Sequence, residues 1–322
     1  MRSIGIIGCG LIGREHASCL KQLGCSITLC FDADPNKARE FAAEFGGRVA
    51  LSAEALINSE EIEAIYICTY HDTHAPFAIE AAKCRKHIFL EKPMALTEKD
   101  CRAIVDAIER AGVICMTGFK LRHYPLVQKA KSLIQRPTLI VAQIFDKRWP
   151  DDSWANNPVR GGGNVLSQGC HAVDLVCELA RSKPISVFAD GGNFHHPALS
   201  ITDSLSMILR FENGAIASIA IADAGVSPIT SKFSFQIMDG ERSLHLYDRL
   251  LQLAFVGPEQ ETSYTDFMEL GFLEENKAFL HALETGLRPA ANHFAGMRAQ
   301  MILLRGIESA RSHQPIDLSD LH

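Results

Sequence analysis

SIGIIGCGLIG, Ser3 to Gly13, is the stretch whose reading decides the fold. Its first five residues form a short apolar run. Gly8-Cys9-Gly10-Leu11-Ile12-Gly13 follows, a G-x-G-x-x-G pattern that leads into a helical pattern over residues 11–22. Strand, glycine turn and helix in that order make a phosphate cradle. Gly8 allows the tight turn, Gly10 lets backbone approach a pyrophosphate, and Gly13 lets helix and strand pack closely. Leu11 and Ile12 open the helix, where unpaired N–H groups and a partial positive charge favour an anion.

The rhythm continues outward from there. Apolar runs at 26–31, 64–68, 86–90 and 113–117 alternate with helical patterns over 36–45, 74–82 and 98–110. Continuous apolar strands alternating with helices predict a parallel sheet covered on both faces. Right-handed crossovers then give a doubly wound fold. The run at 26–31 leads into Asp32, at the spacing where an acidic residue takes ribose hydroxyls. Ala33 and Asp34 follow, so a 2′-phosphate would meet carboxylate and no cation. This predicts NAD rather than NADP as cofactor.

Beyond residue 120 the pattern changes. A long strand is predicted over 138–149, and Gly161-Gly162-Gly163 precedes a helix over 164–180. Strands at 204–211 and 215–222 flank Asn213-Gly214, and strands at 233–238 and 243–247 flank Asp239-Gly240. Both dipeptides are hairpin signals. Helices over 267–285 and 293–312 close the chain. The expected division is a nucleotide-binding domain on residues 1–120 and an α+β domain on 121–322. With 322 residues, two domains fit the limit on single-core growth.

Composition narrows the function classes. The chain is 47% hydrophobic and 22% charged, enough to build a large core, and its net charge of -6 gives no basic field for nucleic acid. No run of about 18 apolar residues predicts a membrane span. MRSIGIIGCG is too short and glycine-rich for a leader and fits a first strand. Ten cysteines are scattered with no C-x-x-C pair. They read as buried free thiols, suited to a reducing cytoplasm, with no metal site expected. His195 and His196 read as exposed loop residues.

Four segments in chain order carry a family resemblance: GCGLIG (8–13), TYHDTHAPFAIEAA (69–82), HIFLEKPMALT (87–97) and GGGNVLSQGCHAVDL (161–175), with a weaker match at GFKLRHYP (118–125). The chain resembles the Gfo/Idh/MocA oxidoreductases, the glucose-fructose oxidoreductase and inositol dehydrogenase group. The resemblance implies an N-terminal Rossmann domain and a C-terminal domain on a large open, mostly antiparallel sheet. It implies homodimers or homotetramers that pair through that sheet, and a sugar, cyclitol or related polyol as substrate.

The same resemblance assigns roles. Lys92, in Glu91-Lys92-Pro93 at the end of a strand, lies by the nicotinamide with its ammonium on the reacting hydroxyl; the bond before Pro93 is often cis in the family. A fixed ammonium stabilises the negative charge that builds on an alcohol oxygen as its proton leaves. His171 is the general base for oxidation and the acid for reduction. Many relatives carry Asp four residues earlier, where this chain has Ser167, whose hydroxyl cannot stabilise an imidazolium as a carboxylate would. Either Asp174, on the same helix face as His171, orients it, or the proton leaves through water. Glu91, Thr69, His71, His74 and Lys120 are expected around the cofactor, with His74 equally suited to packing its helix. Arg122, Trp154, Arg160 and Ser167 are expected near the substrate, with Trp154 equally suited to anchoring a loop. Two other readings stay open on the same scaffold: a glycoside-cleaving enzyme that oxidises its sugar transiently, and a non-catalytic NAD or sugar sensor.

Overall fold

The computed structural model describes residues 3–226, 232–258, 260–266 and 271–321. It opens with β1 (Ser3–Ile7), α1 (Leu11–Gln22), β2 (Ser26–Phe31), α2 (Pro35–Phe45), β3 (Arg48–Val49), α3 (Ala53–Ile57), β4 (Ala64–Ile67), α4 (His74–Lys83), β5 (His87–Leu90), α5 (Glu98–Ala111) and β6 (Cys115–Thr117). The six strands form one parallel sheet in the order β3-β2-β1-β4-β5-β6. The order reverses between β1 and β4, which is where a doubly wound sheet opens a crevice at its carboxyl edge. Burial explains the apolar runs: Ile4, Ile6, Ile7 and all of β4 are fully buried. Local signals set the helix starts. Asp34 accepts the N–H of Asn36 ahead of Pro35 in α2, and Thr97 accepts that of Asp100 in α5.

The chain continues with α6 (Pro125–Leu133), β7 (Leu139–Phe145), α7 (Gly163–Ala180), β8 (Pro184–Gly192), β9 (Ser204–Phe211), β10 (Ile216–Ala222), β11 (Phe233–Met238), β12 (Ser243–Tyr247), β13 (Gln252–Gly257) and β14 (Gln260–Thr265), then α8 (Gly271–Thr285), α9 (His293–Ser312) and β15 (Ile316–Asp317). The second sheet has nine strands in the order β14-β13-β12-β11-β7-β10-β9-β8-β15. Among the described residues, β7 and β10 pair in parallel and the other pairs of this sheet are antiparallel. α7 packs on β7, β9 and β10. The covered face carries Ile140, Ile144, Leu205, Leu209, Ile219 and Phe235, each at most 1% exposed.

The chain divides into two compact units, Met1–Lys120 with Gly271–Met297, and Leu121–Leu270 with Arg298–His322. A single cut after residue 120 therefore misplaces α8. That helix packs on α1, and Asn276 on it lies 2.9 Å from His16 on α1. The start expected for this helix, 267–270, lies outside the described residues. The strand expected over 138–149 stops at Phe145, and a loop runs from there to α7. All ten cysteines are free thiols. Burial pushes Cys19 up to about 11 and Cys101 up to about 12, so both stay protonated and act as small apolar side chains. Among the described residues no helix is long and apolar enough to cross a membrane.

Candidate functional site

The glycine turn follows β1 at the switch point of the first sheet. Gly8 has φ +98°, and a Cβ there would lie 2.4 Å from the Cys68 carbonyl oxygen. At Gly13 a Cβ would lie 2.0 Å from the Gly8 carbonyl oxygen, so α1 can approach the turn only with hydrogen at that position. Gly10 caps α1 without a side chain, and a Cβ there would meet nothing within 4 Å, so the backbone at the middle of the turn borders open space. Asp32, at the end of β2, takes the Cys9 N–H on Oδ2 at 2.8 Å and the Asp34 N–H on Oδ1 at 2.9 Å. Each oxygen keeps a lone pair for a ribose hydroxyl. A crowded turn, an open backbone at its middle and a carboxylate tied to its edge fit a dinucleotide.

A second group gathers at the carboxyl ends of β4 and β5. Lys92 is half-buried, and the Lys92–Pro93 bond is cis. Glu91 is 7% exposed; its Oε1 lies 2.9 Å from His16 Nε2 and its Oε2 accepts the Lys92 N–H at 3.1 Å. Burial opposes the charge on Glu91, but the bond to His16 and the nearby Lys92 outweigh it and hold the carboxyl below its ordinary range. His74 is fully buried, with Nδ1 2.8 Å from the Pro93 carbonyl oxygen and Nε2 3.2 Å from that of Thr69. Burial lowers its pKa, and the ring sits between the Thr69 loop and the turn after β5 with one nitrogen beside each carbonyl. The Thr73 hydroxyl donates to that of Thr69, His71 is buried with its ring 5.7 Å from His74, and the Lys120 ammonium sits 4.3 Å from the centre of the Phe272 ring. Among the described residues, His16, Glu91 and Glu275 bring potential ligand atoms within 4.8 Å of one another. Nothing in the spacing of His16, Glu275 and Asn276 announces this cluster, because their partners lie far away in sequence.

In the second unit, α7 carries His171 and, one turn earlier, Ser167; both are buried. Gly162 caps the helix with φ +77°, and at Gly161 a Cβ would lie 2.3 Å from the Ala155 carbonyl oxygen, so the glycine run folds the preceding loop against the helix start. That loop exposes Trp154 and Arg160, and Asn157 Oδ1 accepts the N–H groups of Val159 and Arg160 at 3.0 Å. Asp174 does not turn to His171. Its oxygens accept Arg122 Nη2 at 2.6 Å and Nε at 2.7 Å, while Arg122 Nη1 donates to Glu178 at 2.6 Å. Arg122 is 3% and Asp174 2% exposed. The guanidinium expected at the substrate and the carboxylate expected behind the histidine thus neutralise each other inside the unit. His196 also differs from expectation. It is fully buried, with Nδ1 2.7 Å from Asp151 and Nε2 2.8 Å from Asp223. Asp223 also accepts the Trp149 N–H at 3.0 Å, so this histidine fastens the loop between β7 and α7.

These features define a class, an oxidoreductase with a dinucleotide-binding parallel sheet and a second domain on a broad mixed sheet. Residues 2–119 match the model of the oxidoreductase family with an NAD-binding Rossmann fold, and residues 127–234 match the GFO/IDH/MocA C-terminal domain. The chain belongs to the Gfo/Idh/MocA family, and its cofactor is NAD. An uncharacterized oxidoreductase of Streptococcus pneumoniae serotype 4 is 32% identical over 228 residues, 67% of this chain and 61% of that one. The myo-inositol 2-dehydrogenase of Thermotoga maritima is 26% identical over 324 residues, 96% of this chain and 95% of that one. A levoglucosan dehydrogenase solved with NADH and levoglucosan shares the fold with a TM-score of 0.91 at 21% identity, covering 98% of this chain and 99% of that one.

Proposed function

We propose that the protein is an NAD-dependent dehydrogenase acting on a ring carbon of a sugar, cyclitol or related polyol, with Lys92 and His171 at the reacting hydroxyl. The observation that carries this reading is Lys92 at the carboxyl end of β5, its peptide N–H held by Glu91, on the rim of a sheet whose glycine turn fits NAD. The name of the Thermotoga relative supports a polyol substrate. NAD, when bound, supplies the hydride acceptor. The Lys92 ammonium stabilises charge on the alcohol oxygen, and His171 takes the hydroxyl proton. Since Arg122 occupies Asp174, the reading gives the His171 proton a route through water rather than to that carboxylate. Asp32 rejects a 2′-phosphate by charge. The exposed face of the second sheet suits a second copy of the chain, giving a homodimer or a tetramer built from it.

The test is nicotinamide absorbance on a panel of sugars, cyclitols and sugar acids, with NAD and NADP side by side. The expected result is NADH formation, slower with NADP, that Lys92→Ala and His171→Ala each reduce by about 100-fold or more. A silent panel with NAD still bound would overturn the reading and move weight to transient oxidation, tested next on aryl glycosides, or to a sensor.

A further inference from the structure

Glu91 sits at the meeting point of two hydrogen-bond donors, and the pattern around it fixes where the protons are. Asn276 Nδ2 donates to the Phe272 carbonyl oxygen at 2.8 Å, an acceptor that identifies this atom as the amide nitrogen. The same nitrogen lies 2.9 Å from His16 Nδ1, which must therefore be the bare, accepting nitrogen of the ring. The proton of neutral His16 is then on Nε2, and it points at Glu91 Oε1 across 2.9 Å. The Lys92 N–H fills Oε2. Donation runs one way, from Asn276 to His16 to Glu91, and Lys92 closes it from the other side. With Nε2 protonated and Nδ1 taken by Asn276, the His16 ring offers no lone pair to a metal ion, although Glu91 and Glu275 stand close.

Packing holds the chain in place. The His16 ring lies 4.6 Å from Phe89 and 5.3 Å from both Tyr66 and Phe272, centre to centre. A Cβ on Gly118 would lie 2.7 Å from Glu91 Oε1, so the carboxylate occupies the space that a larger residue would need. Glu275 is fully buried with neither carboxyl oxygen hydrogen-bonded. Burial, then the neighbouring Glu91 carboxylate, pushes its pKa well up.

We propose that Glu91 is a positioning residue for Lys92: the Asn276–His16 pair holds its carboxylate, and the carboxylate fixes the Lys92 peptide and with it the direction of the ammonium. This rests on the reading of Lys92 given above. His16 serves the same end at one remove. Glutamine cannot replace Glu91, although it has the same shape, because it offers one acceptor oxygen to two donors and sets its own NH2 against the other.

The experiment compares full-length Glu91→Gln and Gly118→Ala with Lys92→Ala and the parent enzyme. Turnover, substrate KM, NAD affinity and thermal midpoint are measured for each, with crystal structures of the first two. A misdirected ammonium predicts kcat down by about 100-fold in both positioning variants while NAD affinity stays within about twofold. Their structures should show Lys92 Nζ displaced. Gly118→Ala moves the carboxylate without altering it, and keeps the test decisive where Glu91→Gln fails to fold. Parent-like kcat in either variant overturns the proposal. So does an unmoved Lys92, or a kcat loss matched by an equal loss of NAD affinity, which marks a merely structural residue. Full activity of Lys92→Ala is a separate outcome that overturns the reading of Lys92 itself.

Discussion

Arg122 keeps its whole guanidinium inside the second unit, on Asp174 and Glu178, with Lys131 bonding the other oxygen of Glu178. Both members of the central pair are buried, so deleting one leaves the other charge without compensation in a poor solvent. Arg122→Ala is expected to cost about 3–5 kcal/mol of unfolding free energy, read from urea denaturation. A substrate-binding arginine behaves differently: stability unchanged, KM raised, and that outcome would restore the role expected from the sequence. The residue types at 122 and 174 were legible, and so was the helix face shared by Asp174 and His171. Which group Asp174 faces was not, because its partner comes from 52 residues away. By contrast Gly13 and Asp32 were legible because their requirement is local. Gly13 answers to the Gly8 carbonyl within the same turn, and Asp32 to the Cys9 N–H within one strand–helix–strand unit.

The loop between β7 and α7 carries Trp154 and Arg160, and its fastening is titratable. His196 bonds Asp151 within the loop and Asp223 just after β10. Arg148 bonds Asp151 and the His195 carbonyl, and Asp203 accepts the N–H groups of Phe194, His195 and His196. Burial works against a charged imidazole here, but the bonds to Asp223 and Asp151 outweigh it and raise the pKa of His196 above its ordinary value. A raised value in the folded state means that this stabilisation is complete below the unfolded value of about 6.5 and is lost as pH rises through the folded value. Proteolytic nicking of the loop should therefore quicken as pH rises above about 6.5, whereas His196→Gln should be nicked readily throughout with a flatter profile. Identical profiles for the two proteins would refute the clasp. The elements themselves were legible where a local rule operates. Gly214 and Gly240 take positive φ at the two hairpins, and the apolar runs of the parallel strands follow from burial on both faces. β3 is two residues long and exposed, and β14 is polar, so neither leaves a hydrophobic pattern to read.

At the scale of the molecule, the outer face of the nine-stranded sheet poses the remaining question of burial. One rung runs Phe188–Ile208–Ser218–Val141–Gln236–His245–Ala254 across seven strands, and the next but one carries Ile216, Leu139, Met238 and Val256. Strand alternation puts all of these opposite the face that α7 covers. Phe188 is 44%, Ile208 51% and Val256 51% exposed, and Phe188 and Ile208 are direct neighbours on one rung. A broad apolar patch rimmed by polar residues marks an interaction surface, and a flat sheet face is self-complementary under a two-fold axis. A second copy laid on this face would remove Phe188 and Ile208 from water at one stroke. Ile208→Arg places a charge in the middle of that contact, where a stable interface depletes charge. Sedimentation should then report a dimer or tetramer for the parent and a smaller species for Ile208→Arg, with the secondary structure intact. An Ile208→Arg protein that sediments like its parent would mean that subunits meet elsewhere or not at all, and the exposed apolar rungs would need another partner.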